Sequence, residues 1–288
     1  MASKYQGVIL AAGHGSRMGP FGEQVPKPIA PICNKPLMAY QLDHMRALGI
    51  EDVIIVIGHL GHRITQVLGD GSAYGVRIRY VEQERRLGLA HAVGQLERHL
   101  KHPFLLILGD IFYEAPNLAA MKNFSVIMRE DGDVKRVIEK PRHPPNMLKG
   151  CGLYLFDLPI FDAIRRTPRT AMRDEYELTD SIQILIDYEY RVRIAPVVEW
   201  DMNLTFIGDL IACCQRQLKK LGESHVVGKG CEIAPGAALS ETCIGDNVRI
   251  TRPVRLERCV VLPGVTLDDG RDYTDTVITP DAKLYASQ

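Results

Sequence analysis

The strongest chemical pattern in the sequence is a pair of glycines followed by two basic residues. Gly13 and Gly15 come directly after an apolar run, which places them in a turn between a strand and a helix. Backbone N–H groups in such a turn can hold phosphate oxygens, although the same glycines also suit a tight structural turn. Arg17 can add several donors to a phosphate, and Lys27 stands between two prolines that restrict its movement. The pattern favours a phosphate-binding loop.

Two other kinds of nucleotide-binding loop do not fit this turn. Met18 occupies the position at which a dinucleotide-binding fingerprint needs its third glycine, which argues against an NAD-dependent dehydrogenase. No Gly-Lys-Ser/Thr sequence follows the glycines, so the turn is not a Walker loop either.

Asp110 is a candidate metal ligand. It ends the apolar run of residues 103–109, and a carboxylate at the carboxyl end of a parallel strand faces the ligand crevice. Carboxylate oxygens are the ligands that Mg²⁺ requires. By residue type alone, Asp110 could equally be an ordinary residue at the end of a strand.

Longer motifs surround these residues. They comprise residues 10–18, Pro26-Lys27-Pro28, Pro31 and Asn34-Lys35-Pro36. Together they resemble the signature of the sugar-1-phosphate nucleotidyltransferases, which are the sugar-nucleotide pyrophosphorylases. Residues 69–72, 81–84 and 87–92 are most similar to the long form of the glucose-1-phosphate thymidylyltransferases.

The resemblance implies a nucleotide site and a metal site. The implied nucleotide contacts are Leu10, Ala12, Gly13, Gly15, Gln83 and Gly88. In the family the glutamine pairs with the base edge, and the glycine lets the base approach the backbone. Asp201, which follows Trp200, matches a second metal-binding aspartate, so that Asp110 and Asp201 would hold Mg²⁺. We interpret His91 as a packing or helix-surface histidine.

The resemblance also implies a sugar phosphate site. The residues that match it are Glu139, Lys140, Asn146, Gly152 and Glu177. In the family the glutamate of the Glu-Lys-Pro element binds sugar hydroxyls and the lysine neutralises the phosphate. The Glu177 motif also suits a helix start at which Thr179 and Asp180 act as caps, and both interpretations can hold together.

The implied reaction is an in-line displacement. An oxygen of a sugar 1-phosphate attacks the α-phosphorus of a nucleoside triphosphate, with dTTP or UTP favoured, and pyrophosphate leaves. Because the nucleophile is already an anion, no general base is needed. The implied catalytic residues are Arg17 and Lys27, which with Lys140 and Mg²⁺ neutralise charge.

Several departures from the family pattern leave a second hypothesis open. Only 28 residues separate Asp110 from Glu139, and Ile111 replaces the usual asparagine. Met202 and Asn203 replace the usual Thr-Gly. The alternative is a catalytically weakened homologue that binds a nucleotide or a sugar nucleotide and acts as a regulatory or scaffolding subunit.

The order of apolar segments predicts an α/β fold. Strand-like runs at residues 7–12, 52–58, 75–81 and 103–109 alternate with helical stretches at 36–48, 59–68 and 89–100. This alternation predicts a Rossmann-like, mainly parallel sheet with helices on both faces. An antiparallel extension follows, with a hairpin of residues 124–129 and 134–139, strands at 152–156 and 190–196, and helices at 178–188 and 204–221.

The carboxyl-terminal segment has a different period. Aliphatic residues recur about every six positions, at Val227, Ile233, Leu239, Ile244, Ile250, Leu256 and Val261. A hexapeptide period predicts a short left-handed β-helix, with a small antiparallel sandwich as the alternative. We therefore expect a nucleotidyltransferase domain of residues 1–222 and a β-helix domain of residues 223–288, and we expect the β-helix to mediate homo-oligomer formation.

Composition excludes several other classes. The net formal charge is zero, which gives no reason to expect a nucleic-acid partner. No apolar run approaches the roughly 18 residues of a membrane helix, and residues 1–6 are unlike a signal peptide. The seven cysteines form no zinc-binding pattern, so we expect reduced thiols in a cytoplasmic protein.

Overall fold

The computed structural model describes residues 4–113, 132–138, 150–171 and 174–286. The amino-terminal strands are β1 (Gln6–Ala11), β2 (Pro31–Ile32), β3 (Lys35–Pro36), β4 (Asp52–Ile57), β5 (Arg77–Glu82), β6 (Phe104–Leu108), β7 (Ile111–Tyr113), β8 (Leu153–Phe156) and β9 (Asp201–Asn203). The carboxyl-terminal strands are β10 (His225–Val227), β11 (Glu232–Ile233), β12 (Ala238–Ser240), β13 (Thr242–Ile244), β14 (Arg249–Ile250), β15 (Arg255–Val261), β16 (Thr266–Leu267), β17 (Tyr273–Ile278) and β18 (Lys283–Tyr285).

Seven α-helices accompany these strands in the described ranges. They are α1 (Pro20–Gln24), α2 (Leu37–Ala47), α3 (Gly61–Leu68), α4 (Leu89–Gly94), α5 (Ile160–Arg166), α6 (Leu178–Asp187) and α7 (Ile207–Leu221). None of these helices combines the length and the apolar character that crossing a bilayer requires.

The chain forms two compact units. The first unit comprises residues 1–13, 41–109 and 113–201, and the second comprises residues 14–40, 110–112 and 202–288. The boundary at residue 222 stays a prediction. In the structure α7, which precedes that boundary, packs against β15 and β17 within the second unit.

A five-stranded sheet forms the centre of the first unit. Its strand order is β5-β4-β1-β6-β8. The first four strands are parallel, and β8 pairs with β6 in the antiparallel sense. The expected mixed α/β sheet is therefore confirmed.

Burial explains why the inner strands read as unbroken apolar runs. Side chains on both faces of β1, β4 and β6 are buried, as expected when helices cover both faces of a parallel sheet. The edge strand β5 instead alternates exposed and half-buried residues. One core cluster joins these strands to α4, α5 and α6, with Phe104 and Ile160 fully buried within it.

Some predicted elements are shorter than expected or absent. The helix predicted for residues 89–100 ends at Gly94, a poor helix former, and continues in turns with bonds such as Leu96 N–H to Val93 O. The helix predicted from residue 204 begins at Ile207. The Asp209 carboxylate accepts the N–H groups of Thr205 and Phe206 and so fixes this start.

The antiparallel extension is the least accurate of the fold predictions. Residues 134–138 and 190–196 form no strand; Asp133 and Arg193 make only an isolated bridge. The alternation around residue 192 arises without a strand: Val192 and Ile194 pack against the core cluster, and Arg191 and Arg193 lie 3.0 and 2.9 Å from the Asp133 carboxylate. Residues 124–129 and 139 lie outside the described residues.

Stacked parallel strands dominate the carboxyl-terminal part of the second unit. His225 pairs with Thr242, Glu232 with Arg249, and Ala238 with Arg255, so each strand pairs with the strand 17 residues later in the chain. The predicted aliphatic positions Ile244, Ile250, Leu256 and Val261 are buried, whereas Val227 is exposed. This parallel register contradicts the antiparallel sandwich considered as an alternative.

Candidate nucleotide-binding site

The carboxyl edge of the sheet in the first unit carries most of the predicted nucleotide contacts. Leu10 and Ala12 lie at the end of β1 with their side chains in the core, each 7% exposed. A ligand contact from either residue must therefore come from the backbone. Gln83 follows β5, and its N–H donates to the carbonyl of Ile57 at the end of β4.

Gly13 and Gly152 lie at the same edge. A Cβ atom added to Gly13 would meet no atom within 4 Å, so the space above its backbone is open. The N–H of Gly109, after β6, donates to the carbonyl of Leu10. The carbonyl of Gly152 accepts from the N–H of Leu108, which places this predicted sugar residue beside the end of β6.

Gln83 is buried and fixed by two contacts. Its Nε2 lies 3.4 Å from the carbonyl oxygen of Gly88 and 3.1 Å from Nδ1 of His91. Gly88 has φ of +104°, and an added Cβ atom would come within 2.4 Å of the carbonyl oxygen of Tyr176. Only glycine fits this position, because both the backbone conformation and the space exclude a side chain.

The segment around Tyr176 holds this loop in place. Tyr176 donates its N–H to the carbonyl of Leu87 and accepts the N–H of Ala90. Glu177, a predicted sugar contact, is buried and occupies the N-cap position of α6, with no capping bond from its side chain. Asp180 lies in the first turn, where the helix dipole favours an acidic side chain.

Lys27 and Asp110 form an ion pair in the second unit. Lys27 Nζ lies 3.9 Å from Asp110 Oδ2, and the lysine side chain is 13% exposed. Burial lowers the pKa of Lys27, the Asp110 charge opposes this, and the Arg17 charge lowers the pKa further. Burial also raises the pKa of Asp110, against the influence of Lys27. Two cations and one desolvated carboxylate are therefore gathered here.

Gly15 completes the basic part of this site. Its φ of +71° lies in the left-handed region that glycine adopts without strain, and an added Cβ atom would lie 3.5 Å from Cγ of Lys27. Arg17 follows in a single turn of 3₁₀ helix, where its neighbour Met18 is buried and Arg17 itself is exposed. Burial of Met18 directs the arginine to solvent.

The residue after strand β9 bonds to the backbone of Asp110. β7 pairs with β9, and the N–H of Leu204 donates to the carbonyl of Asp110 at 2.9 Å. Since Asp110 precedes β7 and Leu204 follows β9, the two strands run in opposite directions. β9 begins at Asp201 and ends at Asn203, the residue before Leu204.

A family model described as Nucleotidyl transferase matches residues 6–126 and 119–200 of this chain. The chain belongs to the nucleotidyl transferase family. The matched residues include the glycine turn, Lys27, Gln83 and Asp110, so the family assignment and the observed sites concern the same parts of this nucleotidyltransferase.

Relatives of known function agree with this assignment. The chain is 32% identical over 245 residues to the low-salt glycan biosynthesis nucleotidyltransferase Agl11 of Haloferax volcanii, covering 75% of this chain and 68% of that protein. It is 30% identical over 281 residues to a glucose-1-phosphate thymidylyltransferase of Streptomyces griseus, covering 85% and 79%. It is also 30% identical to the Haloferax volcanii UTP–glucose-1-phosphate uridylyltransferase AglF, covering 71% and 93%.

A solved structure supports the fold. The crystal structure of UDP-glucose pyrophosphorylase complexed with UDP-glucose matches with a TM-score of 0.63, covering 76% of this chain and all of that chain. At 20% sequence identity, this similarity concerns the fold alone.

Two contacts, one in each unit, add to the sequence interpretation. His91 is half-buried and stacks on Tyr176, in agreement with its interpretation as a packing histidine, and it also contacts Gln83. The N–H of Leu204, which was not among the predicted site residues, donates to the Asp110 carbonyl. Neither contact has a sequence signal, because one depends on the position of α4 relative to β5 and the other on the pairing of β7 with β9. Glu139, Lys140 and Asn146 lie outside the described residues.

Proposed function

We propose that this nucleotidyltransferase joins a nucleoside triphosphate, with UTP or dTTP favoured, to a sugar 1-phosphate, giving a nucleotide sugar and pyrophosphate. Relatives named as glucose-1-phosphate thymidylyltransferase and uridylyltransferase support this reaction. The observation that carries the proposal is the ion pair of Lys27 with Asp110, beside the Arg17 charge.

The basic residues supply positioning and charge neutralisation. In the proposed mechanism the exposed Arg17 guanidinium binds phosphate oxygens with several donors, and the more restricted Lys27 ammonium acts as a point charge. Transfer of a nucleotidyl group needs little more from the protein, because the attacking phosphate oxygen is already anionic. Gln83 and Gly88 would bind the base.

Mg²⁺ is part of the proposal, and the available donors suit it. Asp110 offers a half-buried carboxylate and Asp201 a second carboxylate. Among the residues that the structure describes, no group of three or more His, Cys, Asp or Glu side chains could hold a metal ion. Mg²⁺ commonly binds through one or two carboxylates together with substrate phosphates, so such a group is not required. When bound, the ion would neutralise phosphate charge.

The test is pyrophosphate release from UTP, dTTP, CTP, GTP and ATP with a panel of sugar 1-phosphates and Mg²⁺. We expect turnover with UTP or dTTP. Arg17→Ala and Asp110→Ala should each lower the rate about 100-fold or more, because each removes charge at the phosphates. Near-normal turnover in both variants would refute the assigned roles.

The same assay distinguishes the alternative function. A weakened homologue with a regulatory or scaffolding role would bind a nucleotide without turnover with any sugar phosphate. The names of the relatives and the presence of both Lys27 and Asp110 favour the enzyme over this alternative.

We further propose that the stacked carboxyl-terminal strands form a left-handed β-helix through which the protein forms homo-oligomers. Several large apolar side chains in the second unit are exposed, including Phe206, Leu221, Val227 and Tyr285. Burial of such side chains against another copy would stabilise an assembly. We propose a cytoplasmic location, since the seven cysteines form no disulfide and suit a reducing compartment.

A further inference from the structure

The amide group of Gln83 has a defined orientation. The carbonyl oxygen of Gly88, 3.4 Å away, can only accept a hydrogen bond, so the atom facing it must be the amide nitrogen Nε2. The same Nε2 lies 3.1 Å from Nδ1 of His91. An amide nitrogen has two hydrogens, and these two contacts use both of them.

This orientation determines the state of His91. Because Nε2 of Gln83 donates to it, Nδ1 of His91 acts as an acceptor, which places the ring proton on Nε2. The Gln95 amide nitrogen lies 3.5 Å from both ring nitrogens and can donate to Nδ1 in the same tautomer. Burial lowers the pKa of His91, which favours the neutral ring that can accept. The amide oxygen Oε1 of Gln83 is then the group of this side chain that can bind a ligand, and it is an acceptor.

The surroundings of His91 hold its ring in this position. The ring lies parallel to the Tyr176 ring, with centroids 6.4 Å apart and an angle of 23° between the planes. Tyr176 is joined by backbone hydrogen bonds to Leu87 and Ala90, on the amino-terminal side of His91. The guanidinium of Arg169 lies 5.8 Å from the centroid of the Tyr176 ring. These contacts restrict the His91 ring and keep its Nδ1 beside the Gln83 amide.

We propose that His91 is a positioning residue that sets base preference by holding Gln83 with its Oε1 toward the base. This inference rests on the proposed function, which places the nucleotide base at Gln83. Uracil and thymine present an N3–H donor to such an acceptor. Cytosine presents an unprotonated N3 acceptor at the same ring position, so two acceptors would face each other. The arrangement selects uracil and thymine against cytosine.

Three substitutions of His91 separate this role from simple packing. His91→Asn retains an acceptor at the δ position, His91→Gln moves the acceptor further from the backbone, and His91→Leu removes it. Steady-state kcat and KM would be measured with UTP, dTTP and CTP and one sugar 1-phosphate. Equilibrium binding of UMP and CMP gives a second readout that does not depend on turnover.

We expect His91→Leu and His91→Gln to lower the UTP-to-CTP ratio of kcat/KM about tenfold, the effect of one hydrogen-bond arrangement. The change should appear mainly in KM for UTP, with KM for the sugar phosphate unchanged. His91→Asn should keep most of the preference. The matched control is His99→Leu, because His99 is exposed on the segment after α4 and should leave the ratio unchanged.

The outcomes distinguish a failure of the His91 positioning role from a failure of the proposed function. An active wild-type enzyme whose UTP preference survives both His91→Leu and His91→Gln would overturn the positioning role and leave the proposed function standing. Absence of turnover in the wild type would refute the proposed function. In that case the affinities for UMP and CMP decide. If His91→Gln loses the preference for UMP over CMP and His91→Asn keeps it, the positioning role is supported. If all variants show the same preference as the wild type, the positioning role is overturned.

Discussion

Lys27 illustrates how a single side chain would suit the proposed phosphate site. Two prolines flank it in the sequence, its side chain is 13% exposed, and its ammonium faces the Asp110 carboxylate at 3.9 Å. Burial and the nearby Arg17 lower the pKa of Lys27, so the protein alone disfavours the charged form. A triphosphate would restore favourable surroundings for that charge.

Gly13 and Gly88 lead to opposite predictions for the same substitution. Gly88→Ala should lower the melting temperature by several degrees, because a positive φ and the Tyr176 carbonyl oxygen both oppose a side chain there, a strain of about 1–3 kcal/mol. Gly13→Ala should leave the melting temperature unchanged, because the new methyl group meets no atom within 4 Å, but it should weaken binding of the proposed nucleotide at this turn.

Thermal unfolding by circular dichroism and titration with UTP would check this pair. Gly13→Ala serves as the folding control for Gly88→Ala, since both changes add one methyl group to a loop glycine. Equal melting temperatures for the two variants would contradict the strain at Gly88, and unaltered UTP affinity in Gly13→Ala would contradict a ligand above Gly13.

Sequence reasoning located the loop glycines but not the contacts between side chains. Gly13 and Gly15 were identifiable because turn conformation and close approach are local requirements. The Gln83–His91 bond was not identifiable, since it requires the exact position of α4 relative to the end of β5. A histidine at the start of a helix gives no such signal.

At the scale of elements, the short hairpin of β2 and β3 gathers three thiols. Cys33 and Asn34 form its turn, both with positive φ, which is typical of a two-residue hairpin connection. Asn34 donates to the carbonyl of Ile244 at 2.7 Å, and the sulfur of Cys33 lies 3.6 Å from that of Cys243. Hydrogen bonds involving Cys214 and Cys243 lower the pKa of Cys33 below its usual range.

Cys33 should therefore be the most reactive thiol under mildly acidic conditions. Its lowered pKa keeps a larger fraction as thiolate at pH 6, and the residue is half-buried and not fully enclosed. A brief treatment with iodoacetamide at pH 6, followed by peptide mass spectrometry, should show labelling first at Cys33. The control is Cys231, which is also half-buried. Faster labelling of Cys231 would contradict the prediction.

Elements with continuous burial were the ones that could be predicted. β1, β4 and β6 follow the predicted runs to within one or two residues, because burial on both faces leaves an unbroken apolar sequence. Residues 190–196 alternate in the same way as a strand, yet the alternation there arises without a strand, and its arginines form ion pairs with Asp133. An alternating sequence does not show whether the segment pairs with a strand or whether its charged residues form ion pairs.

At the scale of the whole molecule, exposed apolar side chains yield a prediction about assembly. Val227 and Tyr285 are 41% and 63% exposed, on strands β10 and β18. These strands are the two edges of their sheet. If either edge contacts another copy, Val227→Arg together with Tyr285→Arg should place charge in the interface and reduce the oligomer mass. Sedimentation velocity of the full chain would measure the effect.

A comparable change in the first unit is the control. Tyr190→Arg alters an aromatic residue that is 49% exposed and should leave the sedimentation coefficient unchanged. A wild-type protein that sediments as a monomer, or a double variant with an unaltered mass, would refute assembly through the carboxyl-terminal strands.

The constant register of those strands also restricts how this part of the chain can change in length. Every pairing from His225–Thr242 to Val261–Ile278 spans the same 17 positions. Adding or removing one complete repeat would leave all remaining pairings intact, whereas loss of a single residue within a strand would reverse which later side chains face inward. This part of the chain can therefore change in length by whole repeats without any change to the glycine turn, Lys27 or Asp110.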